Sequence, residues 1–117
     1  MARLRTAFFI SDRTGITAEM LGHSLLTQFD GMRFNEVTLP FVDTLEKARE
    51  VVAKINQQGA ADGERPIVIS TLARTEIAQV VGEADALFLD CFEIFISPLE
   101  RELGVRASHA IGRSHSV

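Results

Sequence analysis

The sequence predicts an α/β domain in which helices cover both faces of a mostly parallel sheet of about four strands. Short apolar runs alternate with amphipathic helical patterns along the 117 residues. The runs are continuously apolar, as in strands that are buried on both faces. Strands and helices that alternate at this spacing favour parallel pairing through right-handed crossovers. We therefore expect a Rossmann-like or flavodoxin-like three-layer domain.

The first strand and the first helix are predicted near the amino terminus. Ala7–Ile10 is an apolar run that stops at Ser11-Asp12, as a doubly buried strand would. The helix that follows is predicted to begin near Thr17 and to end at Asp30-Gly31. Apolar residues recur along it at helical spacing and form one stripe: Ala18, Leu21, Leu25 and Phe29.

The second strand is predicted over Asn35–Phe41, with Val37 and Leu39 on the same face. Asp43 and Glu46 then have the spacing of a capping box, in which Asp43 is the N-cap and Glu46 returns the hydrogen bond. The helix that this box opens carries a second apolar stripe: Leu45, Ala48, Val51, Val52 and Ile55.

Two more strands follow a surface turn that is predicted at Gln57–Gly63. Pro66–Thr71 is apolar and β-branched, with its proline at the first position, where no ladder bond is lost. A shorter helix ends near Gly82, and Ala86–Asp90 is the fourth strand. The apolar positions of that shorter helix are Ile77, Val80 and Val81.

The last predicted helix begins at Ser97–Glu100. Ser97 has the chemistry of an N-cap, proline stands at the first helical position, and the glutamate reciprocates. Gly104 is the predicted stop. We divide the chain into an α/β domain at 1–105 and a tail at 106–117, which shows little apolar pattern.

The composition argues against several classes of function. A net charge of −4 without Trp or Tyr disfavours nucleic-acid binding, which relies on basic surfaces and aromatic stacking. The single cysteine, Cys91, lies in an apolar run, so we interpret it as a small buried residue in a reducing compartment. The apolar run near the start is too short for a signal peptide or a membrane span, which predicts a cytoplasmic protein. A mean hydropathy of +0.13 fits either a doubly covered sheet or a surface that meets a partner.

Polar residues follow every predicted strand, at the edge where parallel α/β sheets bind ligands. They are Ser11–Thr17, Phe41–Thr44, Ser70-Thr71 and Asp90. The first group is the richest, because backbone N–H groups at the start of a helix favour a phosphate or a carboxylate, and Arg13 adds a positive charge. In the alternative interpretation, Asp12, Thr14 and Thr17 merely cap the helix. Asp12 also opposes a simple anion site unless Arg13 or a metal offsets its charge.

The usual nucleotide and hydrolase signatures are missing. The sequence contains no G-x-x-x-x-G-K-[ST], no G-x-G-x-x-G after the first strand and no G-x-S-x-G. None of the three histidines has the spacing of a zinc ligand, so no metal site is predicted. In the tail, Arg113, Ser114 and His115 stand together, either as a functional loop or as a disordered end.

Six strings in order resemble the phosphoenolpyruvate synthase regulatory proteins, a family of bifunctional serine/threonine kinases and phosphorylases related to the plant pyruvate, phosphate dikinase regulators. The strings are Phe8–Glu19, Leu21–Phe29, Leu39–Asp43, Arg65–Val68, Pro98–Glu100 and Gly112–His115. The chain departs from the family at Arg13 and Ser116, where the family usually has glycine. Family members also continue beyond this point, into a part that carries their phosphate-binding loop.

The resemblance implies a bifunctional regulator in the full-length protein. Such an enzyme phosphorylates a threonine of phosphoenolpyruvate synthase, or of pyruvate, phosphate dikinase, with ADP as the donor, and so inactivates it. It removes the same phosphate with inorganic phosphate and releases pyrophosphate. ADP and phosphate are thus the expected ligands, with the main nucleotide site outside these 117 residues, and a divalent metal and a homodimer are both possible. The 117 residues alone are expected to be inactive.

The resemblance also directs the choice of candidate residues. Asp12 or Asp90 is predicted to be the general base or a metal contact, because a threonine hydroxyl must lose its proton. The predicted phosphate- or target-binding residues are Ser11, Arg13, Thr14, Gly15, Thr17, Ser70, Thr71, Arg113, Ser114 and His115. Two other functions stay open: a non-catalytic docking module for the dikinase, and a generic nucleotide-binding flavodoxin-like domain.

Overall fold

A computed structural model of the chain describes residues 3–108. It contains four strands, and these are β1 Arg3–Ile10, β2 Met32–Leu39, β3 Ile67–Ser70 and β4 Leu87–Asp90. The α-helices are α1 Ile16–Leu26, α2 Leu45–Asp62, α3 Thr75–Val81 and α4 Ser97–Leu103. A π-helical turn, Phe92–Ile96, leads directly into α4. None of the helices in this described part is long and apolar enough to span a bilayer.

The four strands form one parallel sheet in the order β2-β1-β3-β4. This confirms the predicted α/β class, and the order is that of the flavodoxin-like branch of doubly wound folds. Ile10 pairs with Leu39 on one side and with Ser70 on the other, and Ser70 pairs with Asp90. The carboxyl ends of all four strands therefore meet at one edge, and the strand order reverses between β1 and β3.

The core lies on both faces of the sheet, as the continuously apolar strands predict. Phe8 and Ile10 face α2 and α3, whereas Ala7 and Phe9 face α1. This alternation along β1 follows from the two-residue period of a strand. All four side chains are buried, so the central strand is covered on both sides.

The predicted apolar stripe of α1 is wrong in part. Its buried residues are Ala18, Gly22 and Leu26, whereas Leu25 and Phe29 are 42% and 60% exposed. The stripe is rotated because Gly22, which carries no apolar side chain, packs against the ring of Phe9. The helix also ends at Leu26, earlier than predicted, since the following residues form short i to i−3 backbone bonds.

The second strand and the cap of α2 are each shifted relative to the prediction. The strand ends at Leu39, so Phe41 lies in the loop beyond it, while Val37 and Leu39 pack on the core as expected. The N-cap of α2 is Thr44, whose Oγ1 accepts from the backbone N–H of Lys47 at 3.1 Å. Asp43 instead contacts Lys47 Nζ at 3.0 Å.

The predicted turn at Gln57–Gly63 is wrong, because α2 continues to Asp62 and ends at the left-handed Gly63. Asp62 holds this extra turn by accepting from Gln58 Nε2 at 2.9 Å and from Thr6 Oγ1 at 2.6 Å. A surface turn has no need of such contacts, and Asp62 instead ties the helix to β1.

The predicted N-cap at Ser97 is also wrong, because the chain is already helical when it reaches this residue. The helical segment begins directly after β4, where Oδ1 of Asp90, the last residue of that strand, accepts from the backbone N–H of Phe92 at 2.9 Å. Gly104 ends α4 in the left-handed conformation, with φ at 68°, which confirms the predicted stop.

Candidate functional site

The loops that follow β1 and β3 meet at the point where the strand order reverses. The backbone N–H of Thr71 donates to the carbonyl of Ile10 at 2.9 Å, which extends the ladder beyond the strands. Ser11 Oγ accepts from the backbone N–H of Arg13 at 3.0 Å, and Ser70 Oγ accepts from that of Leu72 at 3.2 Å. Both serines and Thr71 are buried, so these hydroxyls shape the two loops, and direct contact with a ligand remains a prediction.

The start of α1 lies at this edge. Gly15 is its N-cap, with φ at 87° and ψ at 5°, and no side chain caps the helix. The alternative in which Asp12, Thr14 or Thr17 caps α1 is therefore wrong. Two constraints require glycine at position 15. The backbone is left-handed there, and a Cβ would lie 2.7 Å from Thr38 Cγ2. The backbone N–H groups of the first turn point toward the edge, as required for an anion site.

Asp12 does not cap α1 and instead links the two loops. Its Oδ2 accepts from the backbone N–H of Ala73, which follows β3, at 3.3 Å. The side chain is half-buried, whereas Arg13, Thr14 and Thr17 are exposed beside it. The edge thus presents one positioned carboxylate, one exposed guanidinium and an uncapped helix start.

Asp90 does not join this group. It is the last residue of β4, and β3 lies between β4 and β1, so about 10 Å separates β4 from β1. Its Oδ1 accepts from the backbone N–H of Phe92, and it lines a cleft of about 380 Å³ together with Ala73 of the β3 loop and Glu93. Of the two predicted bases, the geometry places Asp12 at the switch point. Arg113, Ser114 and His115 lie outside the described residues.

The described residues contain no group of three or more His, Cys, Asp or Glu side chains that could hold a metal ion. A divalent metal therefore remains a prediction that rests on the family resemblance. Among the charged residues of the edge, Asp43 has its pKa lowered, chiefly by the hydrogen bond from Lys47. The pKa of Glu76 is lowered by a backbone hydrogen bond and by Arg74.

Sequence reasoning missed the conformation of Phe41. Among the non-glycine residues that the structure describes, it alone has a positive φ, of 59°. Its backbone N–H donates to the carbonyl of Arg13 at 2.8 Å, and Val42 N–H donates to that of Ser11 at 2.9 Å. These bonds tie the β2 loop to the β1–α1 loop and leave the phenyl ring 53% exposed. The apolar run ending in Phe41 gave no signal of a left-handed residue.

The ring of Phe41 lines a groove of about 360 Å³ between the β2 loop and α2. Two lysines, Lys47 and Lys54, stand along the same groove together with Glu50. A strained, exposed aromatic residue is more typical of a binding surface than of a structural turn, where glycine would serve without strain. We therefore include Phe41 in the candidate site.

Substitutions at Phe41 should reveal the strain directly. Phe41→Gly should be more stable than Phe41→Ala by about 1 kcal/mol, because only the alanine Cβ opposes the left-handed backbone. The comparison is made by chemical denaturation of the two variants, neither of which retains the ring. At Phe95, an exposed residue in helical conformation, the order should reverse, with alanine more stable by about 1 kcal/mol. The same order at both positions would contradict the assigned conformation of Phe41.

The thiol of Cys91 is buried next to this edge and is expected to be inert. Burial, and then the carboxylate of Asp90, raise the pKa of the Cys91 thiol to about 11. A thiol-specific reagent near pH 8 should therefore react with Cys91 only after denaturant unfolds the chain. Fast labelling of the folded protein would contradict this placement.

The same pKa predicts a loss of stability at high pH. Between about pH 9 and pH 11 the unfolded chain releases the Cys91 proton and the folded chain keeps it, so the free energy of unfolding should fall by about 2–3 kcal/mol. The protein has no tyrosine to titrate in this range. Cys91→Ala should remove the decline, and a decline of the same size in that variant would assign it to other groups.

These features define a class: a doubly wound parallel α/β protein whose candidate anion site lies at the switch point between β1 and β3. The chain belongs to the kinase/pyrophosphorylase family, because the model of that family matches residues 7–117. This confirms the family that the six strings predicted.

The curated relatives agree with the family. The chain is 51% identical over 115 residues to a protein of Janthinobacterium sp. (strain Marseille). The matched region covers 98% of this chain and 40% of the relative. It is 55% identical over 114 residues to a protein of Aromatoleum aromaticum, and this matched region covers 97% of the chain and 41% of that relative. Both carry the name "Putative phosphoenolpyruvate synthase regulatory protein". The chain thus spans about two-fifths of the length of these relatives.

Proposed function

We propose that this chain is the amino-terminal part of a regulator that controls phosphoenolpyruvate synthase, or pyruvate, phosphate dikinase, by reversible threonine phosphorylation. In the forward reaction the threonine hydroxyl attacks the terminal phosphorus of ADP, and AMP leaves. In the second reaction inorganic phosphate attacks the phosphorus of the phosphothreonine, the threonine hydroxyl is released, and pyrophosphate is the product. The family and the relatives' names support a kinase/pyrophosphorylase that acts on phosphoenolpyruvate synthase. The donor, the acceptor residue and the products AMP and pyrophosphate are part of the proposal.

The observation that best supports a phosphoryl-binding role for this chain is the uncapped start of α1 at the switch point. Gly15 opens the helix without a side-chain cap, and the β3 loop closes against the β1 loop beside it. The first-turn N–H groups and the positive end of the helix favour the phosphoryl group in transfer. Arg13, exposed at the same loop, adds charge that a phosphoryl group can use.

Asp12 is proposed as the base that takes the threonine proton. The backbone N–H of Ala73 fixes one carboxylate oxygen, at 3.3 Å, and so orients the other. Phosphoryl transfer needs little covalent chemistry from the protein, so positioning and charge neutralisation account for most of the catalysis. The part of the family protein outside this chain is proposed to hold ADP, since no nucleotide loop is present among these 117 residues.

The second candidate function is a docking module without catalytic residues. The exposed ring of Phe41 and the adjoining groove favour it, because an apolar ring at the site edge suits a protein target. The two functions differ in what a substitution removes. Loss of target binding with Phe41→Gly, together with normal turnover of the bound target in Asp12→Asn, would indicate docking alone.

The proposed function is tested with a full-length chimera, in which these 117 residues replace the matched region of the Janthinobacterium relative. The chimera should transfer the terminal phosphate of radiolabelled ADP to a threonine of phosphoenolpyruvate synthase, and added inorganic phosphate should release that label as pyrophosphate. The 117-residue chain alone should do neither. Label transfer from ATP and not from ADP, or release of the label as inorganic phosphate, would contradict the proposed reactions.

A further inference from the structure

The last helical segment of the described chain carries an apolar stripe that nothing within the described residues covers. Phe95, Leu99 and Leu103 are spaced four residues apart, so they lie on one face of the segment. Their side chains are 46%, 52% and 67% exposed. No residue of the π-helical turn or of α4 is buried. We call these three side chains the α4 stripe.

The exposure of the α4 stripe is unusual for a helix of this length. A row of apolar residues on one face is the pattern by which a helix packs on a core. An isolated helical segment as short as residues 92–103 is marginal in water, where fewer than about 12–15 residues rarely hold a helix. Tertiary contact on the stripe would supply the missing stability.

A second uncovered feature is the outer edge of the sheet at β4. Within the described residues β4 pairs only with β3, so its outer backbone groups have no strand partner. Leu87 at its start is 41% exposed, and Ile94 in the π-helical turn is 44% exposed. An open strand edge and an apolar helix face are both surfaces that proteins normally cover.

We propose that, in full-length members of this family, the polypeptide outside the region matched here packs on the α4 stripe and the edge of β4. About three-fifths of each relative lies outside that region, which is ample to cover this face. A second copy of the chain is the competing occupant. It is disfavoured, because a tethered segment acts at an effective concentration of about millimolar and two copies of net charge −4 repel each other.

Hydrogen–deuterium exchange tests this inference on natural protein. Backbone amides of the segment matching 92–103 should exchange at least about tenfold more slowly in the full-length Janthinobacterium relative than in the 117-residue chain. Amides of β1 serve as the internal reference and should be protected in both. Equal exchange of the segment in the two proteins would overturn the proposal. Protection that grows with the concentration of the 117-residue chain would overturn it in favour of a second copy.

Substitutions in the 117-residue chain check that the stripe is a free apolar surface. Leu99→Lys with Leu103→Lys should leave the unfolding midpoint nearly unchanged and should lower the fluorescence of a bound hydrophobic dye. Met20→Lys is the matched control, because Met20 is 66% exposed on α1 and lies outside the stripe. Dye fluorescence that falls only in the control, or a large loss of stability in the double variant, would contradict an uncovered stripe.

Discussion

Asp12→Asn in the full-length chimera should lower the rate of threonine phosphorylation by about 10²–10⁴-fold, the usual contribution of a positioned general base. Asparagine retains an oxygen that can accept from Ala73 N–H, so the loops after β1 and β3 should keep their places. ADP binding should persist, because the nucleotide is proposed to bind outside this chain. The measurement is turnover with saturating target, accompanied by calorimetric titration of ADP.

A control and a second readout separate a catalytic role from a structural one. Asp30→Asn removes an exposed carboxylate from the loop between α1 and β2 and should leave turnover unchanged. Because the proposed role of Asp12 lies in the chemical step, kcat should fall in Asp12→Asn while KM for the target stays nearly unchanged. Unchanged turnover would remove Asp12 from the mechanism, and weaker target binding with normal kcat would favour the docking function.

Gly22→Ala should lower the free energy of unfolding by about 2 kcal/mol, although alanine is the better helix former by about 1 kcal/mol. An alanine Cβ at this position would lie 2.2 Å from Phe9 Cε1, 2.6 Å from Cδ1 and 2.9 Å from Cζ. Phe9 cannot move aside, since it is fully buried on the central strand. Thermal unfolding should show a decrease of about 10 °C in Tm for a domain of this size.

Ser24→Ala is the matched control on the same helix, because Ser24 is exposed and alanine there should leave stability unchanged or slightly raised. Phe9→Leu should cost less in the Gly22→Ala background than in the unsubstituted protein, as expected of two residues in contact. A Gly22→Ala variant as stable as the unsubstituted protein would show that α1 lies farther from the sheet.

The sequence predicted the fold class because doubly buried parallel strands have a distinctive pattern. Ala7–Ile10 and Ile67–Ile69 are continuously apolar, and each is followed by polar residues. The buried face of α1 could not be predicted in the same way. Gly22 contributes nothing to an apolar stripe, yet it packs against Phe9. The buried face of α1 predicted from its apolar residues is therefore rotated relative to the observed buried face.

The sequence predicted where the candidate residues lie in the fold, but it did not predict their contacts. Parallel strands place Asp12 and the Ser70-Thr71 pair at one edge whatever their side chains do, and that much follows from sequence. Which way a hydroxyl or carboxylate turns depends on contacts made across loops, such as Asp12 with Ala73. The left-handed conformation of Phe41 likewise depends on Arg13 and Ser11, which are distant along the chain.

The central claim is that the start of α1 receives the phosphoryl group, and an NMR titration of the 117-residue chain with inorganic phosphate tests it most directly. The account predicts amide shift changes centred on Gly15–Thr17 and reaching Ala73, with smaller changes elsewhere. Amide chemical shifts of that loop that stay unchanged at high phosphate concentration would contradict the claim. Changes centred on Lys47 and Lys54 would contradict it as well, and would place the anion in the groove beside Phe41.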